Sequence, residues 1–190
     1  MDRLGLIKFL MEKNNTKKFL EIGVHQGYII DNIKCEYKVG VDPNTSTRAT
    51  VFETSDTFFS HNNEKFDLIF IDGLHHSDQV LKDIYNSLQF LNTSGYIVCH
   101  DMNPQEEIIQ RVPQETGIWT GDCWKAWVSV RSKRPDLKMF VVDIDYGCGV
   151  ITFGNQELIN IDCELNWSNF VANREKWLNL IPLNKLEEYL

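Results

Sequence analysis

The sequence predicts an α/β domain built around a mostly parallel sheet. Runs of apolar, β-branched and aromatic residues recur along the chain, and helical patterns separate most of them. The last two runs follow each other too closely for a helix to join them. The predicted strands are KKFLEIGV, YKVGVD, FDLIFID, GYIVCHD, KMFVVDID and GVITFG.

Two connections indicate how these strands pair. The segment between FDLIFID and GYIVCHD has apolar residues at helical spacing, so it predicts a strand–helix–strand unit with parallel strands and a right-handed crossover. Only a short turn around Tyr146 and Gly147 separates KMFVVDID from GVITFG, which predicts an antiparallel hairpin. The apolar residues of the crossover helix are Val80, Leu81, Ile84, Leu88 and Leu91.

The two ends of the chain predict additional helices. Residues 1–16 form an amphipathic pattern, and residues 164–190 have the spacing of a pair of docking helices. The sequence leaves two roles open for the second segment: it closes the sheet, or it makes a contact in a homodimer. At 190 residues, the whole of 1–190 is expected to form a single domain.

Composition excludes several classes of protein. No apolar run approaches the roughly 18 residues of a membrane span, and Lys8 and Glu12 interrupt any signal-peptide core. The five cysteines lack CxxC spacing, which argues against a disulfide framework or a zinc site. A net charge of −8 disfavours nucleic acid as a partner, and the basic stretch 131–138 is interpreted as a solvated helix end. A cytoplasmic protein without a membrane partner is predicted.

Acidic residues close or nearly close four predicted strands. They are Glu21, Asp42, Asp72 and Asp101. Buried carboxylates cost free energy unless they are paired, so folding alone does not explain this pattern. Open parallel sheets bind ligands beyond the carboxyl ends of their strands, and the sequence therefore predicts a ligand site at this edge.

The segment FLEIGVHQG predicts a nucleoside site. Gly23 and Gly27 flank a turn between the first strand and a helix predicted to begin near Tyr28, and glycine lets the backbone approach a ligand closely. Asp42 follows Gly23 by 19 positions, where an acid can accept hydrogen bonds from ribose hydroxyls. Glu21 replaces the first glycine of the dinucleotide fingerprint GxGxxG, so that fingerprint is incomplete.

Taken together, the glutamate two positions before the first glycine, the GVD at the end of the second strand, FDLIFIDGLHH and GYIVCHDMNP resemble class I S-adenosylmethionine-dependent methyltransferases. The likeness covers nearly the whole chain and is strongest to a methyltransferase 24-like family of small-molecule and sugar O-methyltransferases. It implies a Rossmann-like three-layer sandwich with a mostly parallel seven-stranded sheet and a C-terminal antiparallel hairpin strand. It also implies S-adenosylmethionine as cofactor, with Glu21, Gly23 and Gly27 facing its methionine part, Asp42 its ribose, Ser55 and Asp56 its adenine, and Asp72 nearby.

A second group, Asp72, His75, His76, His100 and Asp101, lies at the ends of two neighbouring strands. Imidazole and carboxylate groups either accept a proton or hold a divalent cation, and the residues leave both open. The resemblance implies a cation, Mg²⁺ in some relatives, on Asp72, Asp101 and His100. His75 is the candidate base, with His100 and Asp101 beside it. Alternatively, a histidine caps the helix that starts near Ser77, and His100 is a hydrogen-bonded core residue.

A third group predicts a substrate lid after GYIVCHD. Trp119, Asp122 and Trp124, with Tyr146 from the hairpin, supply aromatic faces and polar groups that suit a sugar or a planar acceptor. Trp124 and Trp127 also share a helix face, which is typical of plain core packing.

These observations predict methyl transfer from S-adenosylmethionine to a hydroxyl of a sugar, a glycan or another small molecule. Two alternatives remain. An NAD-linked oxidoreductase shares the spacing from Gly23 to Asp42, although Glu21 and the lack of a second half argue against it. A non-catalytic binding module that keeps the cofactor fold would have no reason to retain acids at four strand ends.

Overall fold

A computed structural model describes residues 1–190 and contains one seven-stranded sheet with five α-helices. The strands are β1 (Lys18–Ile22), β2 (Tyr37–Val41), β3 (Phe66–Ile71), β4 (Leu91–Cys99), β5 (Leu137–Val142), β6 (Cys148–Phe153) and β7 (Leu180–Ile181). The helices are α1 (Arg3–Asn14), α2 (Ser55–His61), α3 (Ser77–Phe90), α4 (Cys123–Arg131) and α5 (Trp167–Leu178). None of these helices has the length and apolar character that a bilayer crossing requires.

The strand order is β2-β1-β3-β4-β6-β5-β7, and only β6 runs antiparallel to its neighbours. The prediction of a mostly parallel sheet with an antiparallel hairpin is therefore confirmed. The chain leaves β1 for β2 on one side and then crosses to β3 on the other side. This reversal of strand order opens a crevice at the carboxyl ends of β1 and β3.

Apolar side chains cover both faces of the sheet, which gives the expected three layers. One face packs against α2, α3, α4 and α5 through a cluster of 30 buried residues. The other face packs against α1 and the C-terminal segment through a cluster of 16 buried residues. Burial on both faces explains why the strands are almost continuously apolar in sequence.

The helix predicted near Tyr28 is wrong. The chain between β1 and β2 forms only a single 3₁₀ turn, Ile30–Asn32. The segment 23–36 is short, and its β-branched isoleucines together with Asp31 and Asn32 have weak helix propensity. Ile29, Ile30 and Ile33 are buried, so the segment is held by side-chain packing and not by a helical ladder.

The C-terminal segment closes the sheet. After α5 the chain forms β7, which pairs in parallel with β5, and then a 3₁₀ segment from Leu183 to Tyr189. The second predicted α-helix is therefore wrong. Arg131 is also not solvated as predicted, because its buried guanidinium donates to the carbonyls of Lys176 and Trp177 at the end of α5.

Candidate functional site

A cavity of about 790 Å³ lies where the strand order reverses. Residues after β1, β2 and β3, the start of α2, the first turns of α3 and the loop before α4 line its wall. Pockets of this volume hold ligands the size of a nucleoside or larger. Five residues with an expected cofactor role line it, namely Gly23, Asp42, Ser55, Asp56 and Asp72, whereas Glu21 and Gly27 do not.

Gly23 and Asp42 shape the loop after β1. Gly23 has a φ of +86°, and a Cβ there would lie 2.1 Å from the carbonyl oxygen of Asp72. Oδ2 of Asp42 accepts the backbone N–H groups of Val24, at 3.0 Å, and His25, at 3.1 Å. The acid at the end of β2 therefore holds the glycine loop while it also faces the cavity.

We expect Gly23→Ala to destabilise the protein by at least about 2 kcal/mol, because a side chain at this φ is strained and collides with the backbone of Asp72. Thermal unfolding measures the loss. Gly73→Ala is the matched control in the same cavity wall, since its Cβ would lie 3.4 Å from the nearest atom, Cγ2 of Ile22. Equal melting temperatures for the two variants would contradict this account.

A polar network, buried at Ser55 and Asp83, lines the cavity between α2 and α3. The Ser55 hydroxyl donates to Oδ1 of Asp83 at 2.6 Å, and the Gln79 amide donates to Ser55, Asp56 and Asp83. Burial raises the pKa of Asp83. Sequence reasoning missed Gln79 and Asp83, although their i, i+4 spacing on α3 places them on one helix face.

Glu21 is buried beside this wall with an incomplete set of partners. Its side chain is 2% exposed, and its Oε2 has no hydrogen-bond partner. Burial, reinforced by the nearby Asp72 carboxylate, raises the pKa of Glu21 to about 8. Such an acceptor without a donor is the group that a cationic ligand would satisfy.

Asp72, His75, His100 and Asp101 form one contiguous cluster. Oδ1 of Asp72 lies 3.3 Å from Nε2 of His75 and 3.3 Å from Nδ1 of His100. Oδ2 of Asp101 lies 3.4 Å from Nδ1 of His75 and 3.2 Å from Nδ1 of His100. The residues predicted from two separate strand ends therefore meet.

The two histidines and Asp72 stabilise each other's charged forms. Burial by itself would lower the pKa of each histidine, but the carboxylates outweigh it, and the pKa of His75 and His100 is raised. Burial would raise the pKa of Asp72, yet His100 and then His75 hold that pKa well below its usual range. The cluster is therefore an ion network and not a set of isolated polar side chains.

Arg3 and Asp145 complete this network, and sequence reasoning assigned neither of them to it. Nη1 of Arg3 donates to Oδ2 of Asp145 at 2.8 Å, and its Nε lies 3.8 Å from Oδ2 of Asp72. Oδ2 of Asp145 lies 3.7 Å from Nε2 of His100. The contacts with His100 and then Arg3 hold the pKa of the Asp145 carboxyl below its usual range. Arg3 is distant in sequence from the strand-end motifs, and Asp145, although it ends the predicted strand KMFVVDID, belongs to a strand whose place in the sheet the sequence did not give.

The loop between β4 and α4 covers the cavity beside His75. Gln114, Gly117 and Trp119 line the cavity, and the carbonyl oxygen of Trp119 lies 3.0 Å from Nδ1 of His75. The indole ring lies 5.2 Å from the imidazole, and its N–H donates to the carbonyl of Arg111. The loop thus places an aromatic wall next to the candidate base.

Three residues predicted for the substrate lid do not reach the cavity. Trp124 is fully buried against Phe170 in the core, as the packing alternative required. Asp122 accepts the backbone N–H of Ser77 and caps α3. Tyr146 lies in the β5–β6 turn, where its carbonyl accepts the N–H of Asn103.

The capping alternative for the histidines is wrong. His76 occupies the N-cap position of α3 but its side chain makes no capping bond, and Asp122 takes that role. His100 is buried, as the core alternative required, but it contacts three carboxylates.

Comparison with known proteins finds a methyltransferase domain in part of the chain and the methyltransferase fold over most of it. Residues 25–102 match a family model described as a methyltransferase domain, and this range contains Asp42, Asp72, His75, His100 and Asp101. No curated protein matches the chain by sequence. The fold is shared with many solved structures.

Three of these structures represent the likeness. The Podospora anserina methyltransferase PaMTH1, bound to S-adenosylhomocysteine (SAH), has a TM-score of 0.60 and 19% identity over 80% of this chain and 78% of its own. The Streptomyces achromogenes O-methyltransferase TomG, in complex with S-adenosylmethionine (SAM), has a TM-score of 0.60 and 12% sequence identity over 80% of both chains. A Bacillus cereus O-methyltransferase in complex with SAH has a TM-score of 0.55 and 14% sequence identity over 78% of both chains.

Residues 25–102 match the methyltransferase-domain family, and the chain has the fold of class I methyltransferases.

The fold of this methyltransferase argues against the dinucleotide alternative. A Rossmann dinucleotide site holds its pyrophosphate at the N-terminus of the helix that follows the glycine loop. Here the glycine loop leads only into the 3₁₀ turn Ile30–Asn32. The methyltransferase therefore has a nucleoside-sized cavity without the usual cradle for a pyrophosphate.

The methyltransferase also has a donor set that fits a divalent cation. Ligand atoms of Asp72, His75 and Asp101 all lie within 4.8 Å of one another. Carboxylate oxygen and imidazole nitrogen are ordinary ligands of divalent metals. The histidine of this donor set is His75. The resemblance implied His100 instead, which is the more deeply buried of the two histidines.

Proposed function

We propose that this methyltransferase uses SAM to methylate a hydroxyl oxygen of a small-molecule acceptor. The observation that carries the proposal is the position of His75, between two carboxylates and in the wall of a cavity large enough for the cofactor. The complexes of PaMTH1 with SAH and of TomG with SAM support the choice of cofactor.

In this proposal the cavity binds the cofactor along the ends of β1, β2 and β3. The Asp42 carboxylate already accepts three backbone N–H groups, from Val24, His25 and Asn44, so about one lone pair remains for a ribose hydroxyl. Ser55 and Asp56 face the adenine. Glu21 lies behind this wall, and we assign its unpartnered oxygen to the cofactor's ammonium group, a contact that requires the wall to shift when the cofactor binds.

The chemical step is a direct displacement. The acceptor oxygen forms a bond to the methyl carbon, the carbon–sulfur bond breaks, and its electron pair stays on sulfur as SAH is formed. The hydroxyl proton passes to neutral His75, and Asp72 and Asp101 stabilise the resulting imidazolium. Trp119 keeps the imidazole in place through its carbonyl group.

A sugar hydroxyl is the acceptor that we propose. Ten of the eighteen lining residues have polar side chains, and Trp119 supplies an aromatic face of the kind on which sugar rings pack. Leu74, which is 53% exposed, adds an apolar edge at the same wall.

A divalent cation on Asp72, His75 and Asp101 would supply a second route to the same reaction, by lowering the pKa of the acceptor hydroxyl. His75 cannot both hold the cation and accept the proton. We propose the base role, because Asp72 already pairs with Arg3, His75 and His100, and Asp101 with both histidines. Titration with Mn²⁺, followed by electron paramagnetic resonance, tests this choice, since binding that Asp101→Asn abolishes would favour the cation.

Calorimetric titration with SAH, and separately with NAD, tests the proposed cofactor. We expect saturable binding of SAH and none of NAD. Asp42→Ala should weaken SAH binding about tenfold or more, because the glycine loop loses its acceptor. Asp136→Ala, at an exposed ion pair with Arg134, is the matched control and should leave the affinity unchanged. Binding of NAD alone would overturn the proposal.

A further inference from the structure

His100 shares its contacts with the candidate base. Oδ1 of Asp72 and Oδ2 of Asp101 each lie within 3.4 Å of a ring nitrogen of His75. The same two oxygen atoms lie within 3.3 Å of Nδ1 of His100. The position of the His100 ring therefore fixes the oxygen atoms that hold the imidazole of His75. His100 itself does not line the cavity, so any effect that it has on the reaction is indirect.

Asp145 and Arg3 lie behind His100. Nε2 of His100 is buried without a hydrogen-bond partner, and the carboxylate that faces it is Asp145, with Oδ2 at 3.7 Å. Arg3 holds this same Oδ2, to which its backbone N–H donates at 3.1 Å and its Nη1 at 2.8 Å. Nε of Arg3 also lies 3.8 Å from Oδ2 of Asp72. Arg3 thus fixes the carboxylate behind His100 and approaches the second oxygen of Asp72.

The turn that carries Asp145 has a backbone conformation that side chains rarely adopt. The φ of Asp145 is +47° and that of Tyr146 is +59°, and Asp101, on the other side of His100, has a φ of +62°. Residues in this region cost free energy and concentrate at functional sites, where the surrounding structure keeps them in place. The carbonyls of Tyr146 and Gly147 accept the N–H groups of the two residues that follow Asp101. The turn therefore fixes Asp145 and the backbone after Asp101 as one unit.

We propose that Arg3 and Asp145 are positioning residues for the candidate base. They fix His100, and His100 in turn fixes the two carboxylate oxygens that hold His75. This inference rests on the proposed function, because it gives the two residues a part in the activation of the acceptor hydroxyl. Neither Arg3 nor Asp145 lines the cavity, so the affinity for the cofactor should not depend on them.

Asp145→Asn tests the assignment with little change of shape. Asparagine tolerates the left-handed conformation better than most residues, so the turn is kept while the carboxylate charge beside His100 is lost. We expect the rate of methyl transfer to fall about tenfold or more, because the base loses its orientation, whereas the affinity for SAH should change by no more than about threefold. Arg3→Ala should show the same pattern. Initial rates are measured with methyl-labelled SAM and a small-molecule extract that serves as the acceptor pool.

Nitrogen-15 NMR of the histidine side chains gives a readout that requires no acceptor. His75 forms no ion pair with Asp145, so the loss of the Asp145 carboxylate reaches it through His100 and the shared oxygen atoms. We expect the imidazole signals of both His100 and His75 to move in Asp145→Asn and in Arg3→Ala. Comparison with His75→Ala identifies the signals of His75. If those signals kept their positions in Asp145→Asn, the inference would be overturned.

Asp2→Ala is the matched control for a role of Arg3 in merely attaching α1. Asp2 caps α1 through the N–H of Gly5 and accepts the hydroxyl of Tyr28, and the guanidinium of Arg3 lies 5.2 Å from the Tyr28 ring. This variant should lower the melting temperature but leave the rate and the His75 signals unchanged. An equal loss of rate in Asp2→Ala and Arg3→Ala would show that Arg3 only attaches the helix, and the inference would be wrong.

The inference and the proposed function fail in different ways. Full activity in Asp145→Asn, together with loss of activity in His75→Ala, would overturn the inference and leave His75 as the base. Full activity in His75→Ala, or no binding of SAH by the wild-type protein, would instead contradict the proposed function.

Discussion

Replacing His75 by alanine is expected to lower the rate of methyl transfer about 10²- to 10⁴-fold, the usual contribution of a positioned general base. The variant keeps Asp72 and Asp101 but removes the imidazole that lies between them. The initial rate with methyl-labelled SAM and the acceptor pool measures the effect. The affinity for SAH should change by no more than about threefold, because the cofactor's principal contacts lie elsewhere in the cavity.

The pH dependence of this rate provides a second readout. His75 must be neutral to accept a proton, and its pKa is raised because Asp72 and Asp101 outweigh the effect of burial. Turnover should therefore increase as the pH rises above 6.5 through that pKa, and His75→Ala should lack this increase. His76→Ala is the matched control, since His76 packs on the edge of Trp119 and contacts no carboxylate. Full activity in His75→Ala would eliminate the base role.

Glu21→Gln is expected to stabilise the folded protein at pH 8 by about 1–3 kcal/mol and to weaken SAM binding. The glutamine keeps the shape of the side chain but has no charge to bury. Affinity should fall because the cofactor's ammonium group loses its carboxylate partner. Denaturant unfolding between pH 5 and 8 measures the stability.

The sign of this effect follows from the raised pKa. Unfolded Glu21 loses its proton near 4.5, whereas folded Glu21 keeps it until about pH 8. The folded state therefore binds more protons in this window, and wild-type stability falls as the pH rises. The advantage of Glu21→Gln should be small at pH 5 and largest at pH 8. Glu36→Gln, at an exposed ion pair with Lys17, should show no such trend. A constant difference across the pH range would refute the buried charge as its origin.

Most of the fold could be predicted from local patterns. The six predicted strands correspond to β1 to β6. The predicted crossover helix corresponds to α3, in which Val80, Ile84 and Leu88 are buried. These elements have strong periodicity and bury a continuous face, so the local signal and the tertiary structure agree. In the segment after Gly27 the two disagree: the sequence predicted a helix, but burial of the isoleucines leaves only a 3₁₀ turn.

The candidate site was predictable only in part. Asp42, Asp72, His75, His100 and Asp101 lie at strand ends, and a parallel sheet necessarily brings such ends together at one edge. Arg3, Asp145, Gln79 and Asp83 join the site from helices and a hairpin turn, where sequence spacing gives no information about distance. Trp119 and Trp124 were both predicted for the substrate lid, and the sequence left core packing open for Trp124. Trp119 lines the cavity, whereas Trp124 is buried in the core.

The sequence by itself therefore determined the sheet, its mostly parallel order and the edge at which the cavity lies, because hydrophobic periodicity and strand-end acids are local properties. Only the tertiary structure decided which histidine faces the cavity, which tryptophan is part of its wall and how the buried charges are balanced. Those features depend on contacts such as Arg3 with Asp145, whose residues are 142 positions apart. Their energies exist only after the chain has brought these groups out of water and next to one another.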